Sequence, residues 1–173
     1  MNRFSTEKTN RCLFFNGLKK RIFQKKMNFT PKISSVNGER RIFDPIRKKY
    51  VALTPEELVR QGFIHFLTSE KGFPAGLLMV EYALKVNGLT RRCDIVACNR
   101  AGAPLLLVEC KAPSVKLDNE TFAQAARYNL TLRVPYLAIT NGDDSYCCTV
   151  DFKTGKVLFL RELPRYGEMT HIA

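Results

Sequence analysis

Three charged residues stand at the ends of two neighbouring apolar segments: Asp94, Glu109 and Lys111. The run Leu105–Lys111 begins as a buried strand and ends with two charges. Because strand side chains alternate, Glu109 and Lys111 share one face. Burying a carboxylate and an ammonium costs free energy unless a partner compensates, and the preceding segment supplies Asp94. This end of the sheet is therefore a candidate site for ionic chemistry.

The loop between the two segments decides whether the carboxylates meet. An even-numbered loop, Ala101-Gly102 or Arg100–Ala103, sets Asp94 opposite Glu109 in an antiparallel pair. A three-residue loop without a compensating bulge would put Asp94 on the wrong face. Like charges directly opposite each other destabilise a strand pair. A divalent cation between the two carboxylates would turn this repulsion into a net attraction. Mg²⁺ prefers such hard oxygen ligands, and Mn²⁺ is its usual substitute.

A structural ion-pair network is the alternative interpretation of these residues. Two carboxylates against one lysine leave a surplus negative charge, which favours a metal ion. The six cysteines have no C-x-x-C spacing, and neither histidine has a paired partner, so they predict no zinc site. The metal expectation concerns the carboxylates alone.

Helix and strand signals predict the elements that carry the site. Thr54-Pro55-Glu56-Glu57 is typical of a helix start, with Thr54 as cap and Glu57 completing a capping box. This helix is expected to run to about Ser69 and to close at Gly72. A second helix and six strand-like runs follow: a helix capped by Asp118 or Asn119 that ends before Pro135, and strands at Leu77–Val86, Cys93–Cys98, Leu105–Lys111, Tyr136–Thr140, Tyr146–Asp151 and Val157–Leu160.

The order of these elements predicts the fold class. Helix, three strands, helix and further strands indicate an α/β domain with a mixed sheet of about five strands flanked by helices. The domain is expected at 54–163, preceded by an irregular or short-stranded lead-in at 27–53 and followed by a tail at 164–173. The apolar sides of the two helices are expected to include Leu58 and Leu130.

The chain carries a net charge of +12, from 28 Lys and Arg against 16 Asp and Glu. An excess of this size suggests a polyanionic partner, with nucleic acid first. Residues 1–26 hold eight basic residues and one acidic residue, so more than half of the excess is in this basic extension. The segment is either a basic arm or an extension upstream of a natural start at Met27, and we favour the extension. Arg91 and Arg92 are candidates for phosphate contacts, and the Arg47-Lys48-Lys49 run is either a solvated face or a further phosphate contact.

The pattern of an Asp, a hairpin and Glu-x-Lys resembles the PD-(D/E)xK nuclease superfamily, whose core is restriction-endonuclease-like. The resemblance implies that Asp94, Glu109 and the backbone carbonyl of Cys110 bind Mg²⁺, and that Lys111 orients the attacking water. Cys93 stands where the eponymous Pro would precede the Asp, which removes no ligand.

Two further features belong to the same resemblance. Gln124 and Tyr128 match the Q-x-x-x-Y motif of one branch of the superfamily, and at this spacing they share a helix face. They could reach the catalytic site or the DNA backbone. An acidic residue on the first helix often joins the metal site, for which Glu57 is the first candidate, Glu56 the second, and Glu81 on the first strand another.

A closer resemblance covers most of the chain after Met27. It is to a small bacterial family related to the N-terminal nuclease domain of type I restriction enzyme R subunits. The segments that carry it are Ile42-Phe43-Asp44, Arg47-Lys48-Lys49, Leu53-Thr54-Pro55-Glu56-Glu57, Val86-Asn87-Gly88, Asp94-Ile95-Val96, Leu107–Pro113, Ala126-Arg127-Tyr128-Asn129 and Val134-Pro135-Tyr136. No G-x-x-x-x-G-K-[ST] occurs in the sequence, so ATP-driven translocation by this chain is excluded.

Together these observations predict a Mg²⁺-dependent DNA endonuclease without a motor. The alternatives are a catalytically silent nucleic-acid-binding or partner-interaction module of the same fold, and an RNA nuclease. Restriction-modification or helicase subunits on other chains are candidate partners, and a homodimer stays open. The sequence has neither a membrane-spanning apolar run nor a secretion signal, which predicts a cytoplasmic protein.

Overall fold

The computed structural model describes residues 29–86 and 89–169. The basic extension 1–26 therefore lies outside the described residues. The elements are β1 (Ile33–Val36), β2 (Glu39–Asp44), β3 (Lys49–Ala52), α1 (Pro55–His65), β4 (Leu78–Val86), β5 (Leu89–Cys98), β6 (Pro104–Cys110), α2 (Asn119–Leu132), β7 (Tyr136–Thr140), β8 (Ser145–Asp151), β9 (Lys156–Leu160) and α3 (Tyr166–Met169). Over these ranges, no helix is long and apolar enough to cross a membrane.

A six-stranded mixed sheet confirms the expected α/β class, with six strands rather than about five. The strand order is β4-β5-β6-β7-β8-β9. The β6–β7 pair is parallel, and the other pairs are antiparallel. The parallel pair follows from the chain path, because β6 and β7 are joined by α2, and a parallel pair needs such a long crossover.

Two apolar cores cover the two faces of this sheet. On one face α1 packs Val59 and Phe63 into a core that includes Val108. On the other face α2 packs Phe122 into a core that includes Leu107. Because both faces are covered, the β6 residues from Leu105 onward are buried without alternation. Glu109 therefore stands at the end of an apolar strand, and Lys111 follows directly after the strand ends.

Residues 33–52 form a separate three-stranded antiparallel sheet in the order β1-β2-β3. The short-stranded alternative thus describes this lead-in better than the irregular one. Ile42 and Asp44 of β2 are wholly buried, while Phe43 between them is only half-buried. The alternation gives this small sheet an inner face toward the domain and an outer face toward solvent.

The start of α1 agrees with the prediction in part. The Thr54 side chain accepts a hydrogen bond from the Glu57 N–H at 3.0 Å, as a helix cap does. The return half of the capping box is wrong, because the Thr54 N–H donates to the Ala52 carbonyl and the Glu57 carboxylate binds other partners. A π-helical turn, Phe66–Glu70, continues the helix close to its expected end.

Two leucines expected on the apolar sides of the helices are exposed instead. Leu58 of α1 is 39% exposed and Leu130 of α2 is 70% exposed. Leu58 precedes the buried Val59, and Leu130 follows the buried Asn129. The two leucines are exposed because the sheet covers only one stripe of each helix. Asp118 is the cap of α2, and Arg133 ends it in a left-handed conformation at φ 53°.

Candidate functional site

The β5–β6 hairpin brings the two predicted carboxylates together, although by a different loop. The strands pair as Ile95↔Val108 and Ala97↔Leu106, which is the predicted register. The even-numbered loop is wrong: Cys98 pairs with Pro104, and the connection is residues 99–103. A register shift between Ala97 and Cys98 absorbs the odd residue. Such a bulge restores the side-chain alternation that an odd loop would reverse.

Asp94 lies just beyond the last of these strand pairs, and both of its carboxylate oxygens accept hydrogen bonds. Oδ1 accepts from Arg60 Nη2 at 2.7 Å, and Oδ2 accepts from the Cys110 N–H at 2.7 Å. The side chain is 13% exposed. Asp94 is therefore held by α1 on one side and by the end of β6 on the other.

Glu109 has one paired and one unpaired oxygen. Lys111 Nζ donates to Oε1 at 2.9 Å, whereas Oε2 is buried without a hydrogen-bond partner. Burial and the negative charge of Asp94 raise the pKa of Glu109 to about 7, against the opposing effect of Lys111. Burial alone would lower the pKa of Lys111, but its hydrogen bond to Glu109 raises it above the ordinary value. Glu109 is thus a buried carboxyl with an unmet acceptor.

Arg60 joins the carboxylates of α1 to those of the sheet. Its guanidinium contacts Glu57, Glu81 at 3.3 Å and Glu56 at 3.5 Å, in addition to Asp94. Burial would lower the pKa of Arg60, but Asp94 and then Glu57 raise it above the ordinary value. The site therefore contains a permanent, buried cation.

A second arginine ties the small sheet to the same carboxylates. Arg47 lies in the turn after β2 and contacts Asp44, Glu57 at 3.0 Å and Glu81 at 3.6 Å. Gln61 also donates to Glu57, at 2.8 Å. Through its ion pair with Arg47, Glu57 links α1 to the small sheet.

The remaining predicted residues lie on β5 and α2. Arg92 is exposed on β5 and contacts Glu81 at 3.6 Å, whereas its neighbour Arg91 points to the other face of the strand. Gln124 is half-buried on α2, which packs against β6 and β7. Tyr128 lies on the same helix, and its side chain is outside the described part of the structure.

Sequence reasoning missed Arg60 and the inward role of Arg47. The signal for Arg60 was present, because it follows Glu56 and Glu57 by four and three residues and therefore shares their helix face. Arg47 stands in a basic run that resembles a solvated surface segment, and only its contacts distinguish it from Lys48.

The oxygen donors of this cluster suit a hard divalent cation. Glu109 Oε2 lacks a partner, and each Asp94 oxygen accepts one hydrogen bond while a carboxylate oxygen has two lone pairs. Within 29–86 and 89–169, however, no three or more His, Cys, Asp or Glu side chains stand together as a preformed metal site. The positive charge next to Asp94 comes from the Arg60 guanidinium.

The molecule is an α/β domain with a mixed sheet, and its charged cluster lies where β5 and β6 meet α1. The model of the type I restriction enzyme R protein N terminus matches residues 55–164, so the chain belongs to that family. Over these residues the match confirms the closer of the two resemblances.

A solved structure shares the fold. It is described as a fragment of the HsdR subunit of a type I restriction enzyme from Vibrio vulnificus YJ016, and it superposes with a TM-score of 0.51 at 21% sequence identity. The match covers 69% of this chain and 25% of that chain. Comparison with curated proteins finds no significant match.

Proposed function

We propose that this chain is a Mg²⁺-dependent DNA endonuclease of the PD-(D/E)xK type that hydrolyses phosphodiester bonds. The observation that carries the proposal is the state of Glu109, whose Oε1 is paired with Lys111 while its Oε2 is buried and unpaired. The charge of Asp94 also helps to raise the pKa of this carboxyl. Burying such an oxygen costs free energy, so the arrangement is best explained by a cation that the site receives.

Asp94, Glu109 and the backbone carbonyl of Cys110 would hold the metal ion. Held by these residues, Mg²⁺ would supply Lewis-acid polarisation of the scissile phosphate and would lower the pKa of a bound water. Lys111 keeps its proton because Glu109 raises its pKa, so it offers a fixed positive charge to orient the water and offset developing negative charge. Arg92, exposed at 69%, is available to a neighbouring phosphate.

DNA cleavage tests the proposal directly. Supercoiled, linear and single-stranded DNA and an RNA are incubated with Mg²⁺ and the wild-type chain, Asp94→Ala, Lys111→Ala or the exposed control Lys153→Ala. We expect the wild type and the control to cut DNA, and the two site variants to lose about 100-fold or more of the rate. EDTA should abolish cleavage. Equal activity in all four proteins would refute the assigned site.

One observation favours a second candidate, a silent nucleic-acid-binding or partner-interaction module. The Arg60 guanidinium lies 2.7 Å from Asp94, where it supplies charge that a metal ion would otherwise supply. Calorimetry separates the two candidates. A module without turnover would bind DNA in a salt-sensitive manner and release no heat with Mg²⁺ or Mn²⁺.

Membership of this family also suggests partners. We propose that the domain works on DNA beside restriction-modification or helicase subunits on other chains, because the family that it belongs to is that of the type I restriction enzyme R protein N terminus.

A further inference from the structure

The small sheet β1–β3 precedes the segment matched by the family model, which begins at residue 55, and the proposed reaction does not use it. Its charge is strongly unbalanced. Between residues 32 and 49 the accessible carboxylate is Glu39, since Asp44 is wholly buried. Five cations in the same stretch are exposed or half-exposed: Lys32, Arg40, Arg41, Lys48 and Lys49.

The turn between β2 and β3 is held from within. The buried carboxylate of Asp44 accepts from the N–H groups of Ile46 and Arg47, both at 2.8 Å, and from the Arg47 side chain. Lys48 follows with a left-handed backbone at φ 53°, a conformation that is unfavourable for residues other than glycine. Lys48 and Lys49 are exposed. The last residue of the turn and the first residue of β3 are thus two exposed lysines, and inward contacts determine the shape of the turn.

The same turn is fastened to the candidate site. Arg47 contacts Glu57 and Glu81, and Arg60 contacts both of these carboxylates as well as Asp94. A single chain of ion pairs therefore runs from the turn to Asp94. The exposed Lys48 and Lys49 directly follow Arg47, which is the first residue of this series of ion pairs.

The outer face of the sheet adds aromatic surface to the cations. The rings of Phe43 and Tyr50 meet edge to face at 5.3 Å, and Lys32 Nζ lies 5.8 Å from the Phe43 ring. Tyr50 is 45% exposed. Exposed rings next to cations suit nucleic acid, because bases stack on aromatic side chains and phosphates pair with Lys and Arg.

We propose that the β2–β3 turn and the outer face of the small sheet form a nucleic-acid contact surface, with Lys48 and Lys49 on the phosphate backbone and Tyr50 against a base. Charge complementarity selects this occupant. The sheet repels residues 1–26, which are themselves strongly basic. The inference rests on the proposed function in one respect, which is that the bound nucleic-acid strand would lead toward Asp94 and Glu109.

Binding is measured by fluorescence anisotropy with labelled single-stranded and duplex oligonucleotides in EDTA, so that no metal or cleavage is required. The test variant is Lys48→Ala/Lys49→Ala. The matched control is Lys153→Ala/Lys156→Ala, which removes the same charge from the exposed turn after β8 and from the exposed first residue of β9. We expect the test pair to reduce the slope of log affinity against log salt by about two and to weaken binding about 10-fold. The control should leave the slope nearly unchanged.

Tyr50→Leu tests the aromatic contribution separately. It should weaken single-strand binding about 10-fold while leaving the salt slope at its wild-type value. Lys48→Gln/Lys49→Gln removes the same two charges but keeps side chains longer than alanine. The melting temperature of this variant shows whether the sheet remains folded.

Equal losses in the test and control pairs would overturn the inference, because bulk charge alone would then explain binding. Binding of poly-glutamate in place of either oligonucleotide would overturn it in favour of an acidic protein partner. The contact surface and the proposed nuclease can fail independently. If the protein binds through Lys48 and Lys49 but cuts nothing, the contact surface stands and the nuclease proposal fails. If the protein cuts DNA but the salt slope of the test pair is unchanged, the contact surface is refuted.

Discussion

Arg60 on α1 donates from Nη2 to Oδ1 of Asp94 at 2.7 Å, across 34 positions of the chain. The arginine side chain is 6% exposed and the aspartate 13%, so this pair is shielded from solvent. It joins α1 to β5 and supplies positive charge among the carboxylates where the two elements meet. Stability and chemistry at this end of the sheet therefore depend on the same residue.

Replacing Arg60 by Met should lower the free energy of unfolding by about 3–5 kcal/mol, because Asp94 and Glu57 would remain buried without their cation. Urea denaturation measures the change. Arg41→Met is the control, since it breaks an ion pair whose partner Glu39 is 75% exposed and should cost less than about 1 kcal/mol. Similar losses in the two variants would show that the buried pair has no special weight.

Glu109→Gln should make the metal-free protein more stable at neutral pH, by about 1 kcal/mol. The raised pKa of Glu109 means that the folded state disfavours the ionised carboxylate, and the amide removes that charge at nearly the same volume. The variant should also lose any rise in melting temperature that Mn²⁺ produces in the wild type. Calorimetric melting with and without Mn²⁺ measures both effects. Glu39→Gln is the exposed control and should change neither.

Gly142→Ala should destabilise the contact between the β7–β8 turn and α1. Gly142 has φ 94°, and a Cβ there would lie 3.2 Å from Val59 Cγ2. Gly155→Ala is a matched control, because its φ is also positive, at 69°, and its surroundings are open. We expect a loss of about 1–2 kcal/mol for Gly155→Ala and about 1–3 kcal/mol more for Gly142→Ala. Equal melting temperatures of the two variants would contradict the close packing at Val59.

Asp118 links the stability of α2 to pH. Its carboxylate accepts hydrogen bonds from the Thr121 and Glu120 N–H groups at 3.0 Å, and these contacts, with Thr121 first, lower its pKa. An acid with a lowered pKa contributes stability above its ordinary pKa of 3.8 and loses it as pH falls through the folded value. Asp118→Asn should therefore be less stable than the wild type at pH 7, and the difference should shrink in acid. A pH-independent difference in denaturation midpoint would contradict this assignment.

The elements around the site were largely predictable because their signals are local. The cap at Thr54, the close of the first helix at Gly72 and the strand Tyr136–Thr140 each depend on residues within one turn or one strand. The small sheet β1–β3 was harder to predict. Its strands are short and rich in charge, and they become ordered by pairing with one another and by burying Ile42 and Asp44.

The loop of the β5–β6 hairpin shows the limit of counting. An even loop and an odd loop with a bulge place Asp94 on the same side, so the sequence predicted the register correctly with the wrong connection. The bulge depends on how Cys98 and Pro104 meet across the strands, which the linear spacing does not specify.

The sequence by itself determined the chemical types at the site and their pairing, since alternation along β6 and the antiparallel register are local rules that bring Asp94 and Glu109 together. Only the tertiary structure decided that Arg60 holds Asp94, that Glu109 retains an unpaired oxygen and that Arg47 points inward. Those relationships depend on the packing of α1 and the small sheet against strands distant in sequence. Burial then sets the charge of each group, because desolvation acts only where the folded chain excludes water.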